Sequence, residues 1–428
     1  MDRPQKGILV IIKGGKMLKR YWIILLVIFI LPIHIFAFVF NVGYSERDIT
    51  PSKSQIANGE IYLGGYGLYK DRGAAIGIKD HIYSKSLSIE NKQTIMVITS
   101  LDLPGISNKL LNKIRDIAHD KTQIPKEHLF IGVTHTHAGP DLMGLWGGVS
   151  KSYKETVINE VVESIVEAYQ NRQPSRLYIS ENQADNYNRR GLKITDNHLS
   201  VIDAISLMNG NRIATLINFG THPIFVDEPY ISRDYCGYLV DYVSERLDAP
   251  VLFMNGIMGD VVPPKKSKNA QTYGESIGKA VLDSISNSKE IEPTLVIKTS
   301  VWKQHVTNPI FILATGIKVL DFDMGFDFST GFYVKTRASY FRLGNAVQGV
   351  TFPGESLSQN GLSIKENMKA PSKLFLGLTG DTLGYFIPSY DWNVPKKNYE
   401  ETLSLGRDAG DIVEEILSSF IKEDNKNF

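Results

Sequence analysis

Six short apolar runs dominate this chain, and each is released into a loop that pairs glycine or proline with a side chain able to bind a metal or move a proton. "TIMVITS" (94–100) leads to Asp102, "HLFIGV" (128–133) to Thr134-His135-Thr136-His137, and "IATLINF" (213–219) to Gly220-Thr221-His222-Pro223. "PVLFMN" runs on to Gly259-Asp260, "AVQGVTF" to Pro353-Gly354-Glu355, and "KLFLGL" to Thr379-Gly380-Asp381 and then Tyr385. Runs this short and this rich in β-branched residues predict strands. Between them, "SNKLLNKIRDIAHD" sets Leu110, Leu111, Ile114 and Ile117 at helical spacing, and residues 153–169 set Val157, Val161, Ile165 and Tyr169 in an i, i+4 stripe. Further helices are predicted over 234–247, 270–286 and 399–421, and 295–350 is predicted to be mostly β. The mixture predicts an α/β or α+β domain with a large mixed β-sheet core, or a pair of sheets, flanked by helices. In such sheets, sites form in the crevice at the carboxyl ends of strands.

The 428 residues, 43% of them hydrophobic, suffice for one sizeable core. A formal net charge of +1 argues against a nucleic-acid partner. Charge is uneven, however. Residues 1–20 hold six Lys/Arg against the single acid Asp2, and residues 21–40 contain no Asp, Glu, Lys or Arg. A helix of that length spans the roughly 30 Å hydrocarbon layer, and the basic flank would stay cytoplasmic. The expectation is a basic cytoplasmic segment (1–20), one N-terminal transmembrane helix (21–40), a polar tether (41–58), an extracytoplasmic catalytic domain (59–421) and a solvated tail (422–428). A cleaved signal sequence is the rival for 21–40 and would make the protein secreted. The lone Cys236 leaves no intrachain disulfide.

His135, His137, His222 and Glu355 together suggest a metal centre. Imidazoles plus a carboxylate, without thiolates, suit a catalytic Zn²⁺ with one position open to water, whose pKa falls to about 7 when bound. On an extended segment, His135 and His137 share a face, so both can point into the crevice (both as ligands, or one toward substrate). Asp102 and Asp260 read as caps, and 64–77 as a mobile or substrate-covering loop.

"GVTHTHAGP", "INFGTHP", "SRDYCGY", "NGIMGDVVP", "FPGES" and "YFIPSYDWNVPKKNYEETLSLG" occur in the order found in neutral, non-lysosomal ceramidases, which this chain resembles over roughly 59–421. That family hydrolyses lipid amides with zinc, and the chain is similar to its catalytic domain alone, without the immunoglobulin-like C-terminal domain. The resemblance implies zinc ligands at His135, His222, Glu355 and Tyr385. It places His137 beside the metal facing the substrate carbonyl or oxyanion, Arg189 at the substrate end, and Tyr399 on the tetrahedral intermediate. Where the family has serine in Gly-Asp-Val-Ser-Pro, this chain has Val262. The implied function is zinc-dependent cleavage of an N-acyl bond in a ceramide-like lipid at the membrane. The alternatives are hydrolysis of another envelope amide or ester, or a non-catalytic, metal-stabilised binding or sensor module.

Overall fold

The computed structural model describes residues 39–428, apart from 67–71 and 395–398. The basic segment and all but the last two residues of the expected transmembrane helix lie outside the described residues. Among those described, no helix is long and apolar enough to cross a membrane. The chain divides into 1–39 and 40–428, and the second unit is described by itself.

In chain order its main elements are β1 (Phe40–Asp48), β2 (Tyr83–Asn91), β3 (Thr94–Leu101), α1 (Asn108–Thr122), β4 (Leu129–Val133), α2 (Lys151–Gln170), β5 (Gln173–Gln183), β6 (His198–Ser206) and β7 (Arg212–Phe219). Then follow α3 (Asp234–Leu247), β8 (Val251–Asn255), α4 (Ala270–Ile285), β9 (Leu295–His305), α5 (Pro309–Gly316), β10 (Met324–Asp327), β11 (Gly331–Leu343), β12 (Val347–Thr351), α6 (Ser358–Glu366), β13 (Ser372–Leu376) and α7 (Ala409–Asp424). The large sheet has the order β8-β7-β6-β5-β1-β2-β3-β4, and the second has β9-β11-β12-β13 with β10 on β11. Both are mixed: β3/β4, β7/β8 and β12/β13 pair parallel and the other neighbours antiparallel.

Period-two alternation sorts the strands' side chains into layers. Val97 faces α1 and α2, while its neighbours Met96 and Ile98 face inward and meet Phe341, Leu374 and Leu376 of the second sheet. Ile217 and Phe253 pack under α3 and α4. On the far side, Tyr340, Val350 and Phe375 pack against Ile364 of α6 and Leu417 of α7. The order is therefore helices, sheet, sheet, helices. Helix starts follow local chemistry: Ser107, Ser150 and Asn269 accept from the backbone N–H of Leu110, Tyr153 and Thr272.

Strand pairing alone sends β4 and β8 in opposite directions, yet their loops meet. Twist accounts for this. At roughly 20–25° per neighbouring pair, the seven steps across the sheet accumulate about 140–175°, enough to reverse a strand's direction in space. The sheet curls until Ser100 Oγ of β3 donates to Phe253 O of β8 (2.5 Å) and Asn255 Nδ2 donates to Thr134 O (2.8 Å).

Three expectations are corrected. Residues 41–58 are no tether: most of β1 lies there, inserted between β5 and β2, with Val42 and Ile49 fully buried. Its polar residues belong to a half-buried strand; Ser45 and Arg47, for instance, both bond Glu167 of α2. Helix 399–421 is two pieces, Tyr399–Thr402 and α7, interrupted by the turn around Gly406. Nor is 422–428 a solvated tail throughout: Asp424 is buried and accepts from Tyr340 Oη and Arg342 Nε, both at 2.6 Å.

Candidate metal centre

Each strand exit delivers one part of a buried cluster. β4 ends at Val133, and His135 takes a left-handed conformation, φ +64°. Its Nδ1–H donates to Pro104 O (2.5 Å), which leaves the Nε2 lone pair free. β7 delivers His222, fully buried, whose Nδ1 likewise donates to a carbonyl, Val261 O (2.9 Å). Its Nε2 lies 3.1 Å from Glu355 Oε2, and His135 Nε2 lies 3.7 Å from Glu355 Oε1. Glu355 follows β12 in a two-residue parallel ladder, where it pairs in register with Tyr385. His137 Nε2 stands 3.1 Å from His135 Nε2.

Nitrogens of His135, His137 and His222 lie within 4.8 Å of one another, a group that could hold a metal ion. The protonation states suit one. Burial lowers the His135 pKa to about 4 despite the neighbouring Glu355. Burial, with His135 and His222 beside it, also drives His137 well below the ordinary histidine value. Burial opposes ionisation of Glu355, but His135, His222 and Arg189 outweigh it and hold the carboxyl down at about 2. Neutral His135 and His137 beside the ionised Glu355 offer donor atoms ready for a cation. With His135 Nδ1 protonated, its Nε2 lone pair is met at 3.1 Å by His137 Nε2, which in the neutral ring can carry the proton and donate; a cation bound at His135 Nε2 would take the place of that hydrogen bond.

Arg189 enters from the other side. It donates from Nη2 to Tyr385 Oη (3.0 Å) and is held by Glu400 through Nε (3.2 Å). Burial, then Glu355, raises the Tyr385 phenol well above its ordinary value, so it is neutral. The Tyr399 ring lies 6.0 Å from that of Tyr385. All seven residues expected from the sequence therefore come together. Several contributors were missed. Glu400 is buried against Arg189. The Tyr66 ring meets His137 edge-on at 4.9 Å, and Arg72 donates to the His137 carbonyl. The described parts of the expected covering loop thus pack over His137. The acidic run "YEET" offered one signal for Glu400, whereas Arg72 had none. Asp260 receives Asn188 Nδ2 (2.7 Å) and Ser358 N (2.8 Å) at the start of α6, so it ties the Arg189 segment to the Glu355 segment. Asp102 caps no helix; it accepts from Tyr83 N (3.0 Å).

Two clefts meet at this cluster. One, about 720 Å³ including its open mouth, is lined by Met143, Leu145, Trp146, Phe311 and Leu320 and ends on His135, Glu355 and Tyr385. The other, about 790 Å³ measured the same way, is lined by Tyr66, His137, Arg189, Arg190, Val262 and Glu400. Gly65 and Tyr399 border both.

No protein-family model matches the sequence. Among solved structures, neutral ceramidase from Pseudomonas aeruginosa is similar at a TM-score of 0.74 and 15% identity, over 91% of this chain and 75% of that one. A second structure, a ceramidase complexed with C2, is similar at 0.75 and 15% identity, over 91% of this chain and 76% of that one. The fold is that of these ceramidase structures, in agreement with the resemblance in the sequence.

Proposed function

We propose that the chain is a zinc-dependent hydrolase that cleaves the N-acyl bond of a lipid amide. The observation that carries this reading is the junction of an apolar and a polar cleft at a buried cluster of histidines and a carboxylate. An amphiphile laid across that junction would put its acyl chain among Met143, Leu145 and Phe311, its head beside Arg189 and Arg190, and its amide against the cluster.

In this reading His135, His222, Glu355 and Tyr385 hold the metal. Zinc, when bound, supplies Lewis acidity and an activated water. The Pro104 and Val261 carbonyls fix which nitrogen each histidine offers. Arg189 stabilises negative charge developing on the Tyr385 side and is itself held by Glu400. His137, whose Nδ1 has no hydrogen-bond partner among the described residues, bonds the substrate beside the cluster. Tyr399, half-exposed between the clefts, is the second phenol on the oxyanion; one such donor contributes about 3–4 kcal/mol. Membrane attachment through 21–40 and an extracytoplasmic site belong to the same proposal.

Val262 favours one variation. It lines the polar cleft, where it can neither donate nor accept a hydrogen bond, so a head group that depends on a hydroxyl there is disfavoured. That predicts slower hydrolysis of a ceramide than a hydroxyl at this position would allow, and not its loss. The test is zinc content together with fatty-acid release from fluorescent N-acylsphingosine, by the detergent-purified full chain. Stoichiometric zinc with chelator-sensitive release is the expected result. Zinc without release moves the substrate to another amide or ester, and a zinc-free, inactive chain after zinc reconstitution overturns the reading.

A further inference from the structure

Beyond the candidate site, part of the second sheet carries apolar side chains that nothing among the described residues covers. Val350 of β12 pairs with Tyr340 of β11, and Glu355 follows five residues later. β11 begins nine residues before Tyr340, at Gly331. At about 3.4 Å per residue it continues roughly 30 Å further in the direction in which β12 delivers Glu355. Its turn with β10 bears Phe326, Phe328 and Phe332, with ring centroids 5.4 and 5.0 Å apart, and Phe328 is 100% exposed.

β9 ends at the same side, His305 pairing with Tyr333, and feeds directly into α5. That helix, "PIFILATG", has no charged residue, yet Phe311 is its only buried one. Ile310 and Leu313 face solvent, as do Ile317 and Val319 just after it. A helix apolar on all sides belongs in a core or in lipid. Phe311 shares a core cluster with Val334, which alternation places on the same face of β11 as Phe332. Val306, three residues before α5, donates its N–H to Phe332 O (2.9 Å), so the start of α5 lies beside the base of the aromatic tip. Ile310, Phe311 and Ala314 also line the apolar cleft, so the surface is continuous with the cleft's mouth.

We propose that α5 and the β10–β11 tip form a docking surface for a lipid bilayer, with the apolar cleft opening into the layer of acyl chains. The proposal rests on the reading of that cleft as a lipid-chain site. A bilayer fits better than a second copy or another protein, since either of these would close the mouth, whereas a bilayer supplies the cleft's occupant. Most of the charge here is neutralised: Asp327 is paired with Lys303 (3.2 Å) and Asp321 with Lys109 (3.3 Å) and Lys154 (3.1 Å), while Lys318 follows α5 and Asp323 precedes β10. Aromatic and aliphatic side chains with lysines at their border suit the headgroup–acyl boundary.

The test attaches an environment-sensitive fluorophore to the full chain through Leu313→Cys, Phe328→Cys or, as control, Met208→Cys. Met208 is 72% exposed in the β6–β7 turn, at the end of β7 away from His222, and the native Cys236 is buried. On vesicles of phosphatidylcholine with a minor share of phosphatidylglycerol, labels at 313 and 328 should shift to the blue and be quenched by acyl-chain bromines, while the label at 208 does neither. Labels at 313 and 328 that stay as aqueous as the control overturn the proposal. So does a shift that needs no vesicles and grows with protein concentration, which would assign the surface to a second copy. The double variant L313D/F328D should lose ~tenfold in hydrolysis of amides embedded in vesicles, with the rate on a soluble short-chain amide unchanged. Labels that enter the bilayer of a chain hydrolysing neither form uphold docking and overturn the hydrolase reading instead.

Discussion

His135 is held in a backbone conformation that costs a non-glycine residue of order 1–3 kcal/mol, and the cluster around it gives that strain a use. The turn swings Nδ1 onto Pro104 O and leaves Nε2 facing Glu355. Among the described residues, Glu355 is the one carboxylate touching both His135 and His222. Glu355→Gln keeps the shape and removes the charge. Zinc affinity, measured by competition with a chelating dye, should fall at least about 10–100-fold, with fatty-acid release falling alongside. Val262→Ser restores a hydroxyl in the polar cleft. Release from N-acylsphingosine should rise, and an unchanged rate would remove this position from head-group selection. His135, His222 and Glu355 were legible because each follows an apolar run directly. Glu400, Tyr66 and Arg72 were not, because their roles depend on partners distant in sequence: 211 positions separate Glu400 from Arg189.

Between elements, the second sheet and its helices are joined to the large sheet by buried ion pairs as well as apolar layers. Lys365 of α6 reaches Asp196, just before β6, at 2.6 Å. Burial works against the Asp196 carboxylate, but Lys365 and His198 prevail and hold its pKa far below the usual range. A depressed folded-state pKa contributes stability that is complete above the unfolded value, about 3.9, and is lost as pH falls toward the folded one. Asp196→Asn should therefore lower Tm most at neutral pH, with the difference from wild type shrinking below about pH 4. β1 makes a second prediction at this scale. Val42→Asp puts a carboxylate into the layer between the sheets and should cost at least about 3 kcal/mol in denaturant unfolding. A true tether would tolerate it. The strand was missed because Ser45, Glu46, Arg47 and Asp48 read as solvated, whereas Ser45 and Arg47 are engaged with Glu167.

At the scale of the molecule, the two clefts give the cluster a direction, apolar on one side and polar on the other. Leu145→Trp narrows the apolar cleft. It should raise KM for a long-chain amide about tenfold and leave an acetyl amide unchanged; equal effects on both would mean that the chain lies elsewhere. Alternation of apolar runs with amphipathic stretches was enough to specify a mixed sheet flanked by helices, and the residues at the strand exits were enough to name candidates that the fold brings together, because period and loop chemistry are local properties. Curling of the large sheet, the face-to-face packing of the second sheet and the projection of the β10–β11 tip were decided only in three dimensions. They depend on twist summed over eight strands and on register between segments far apart in the chain, and no local stretch of sequence encodes either.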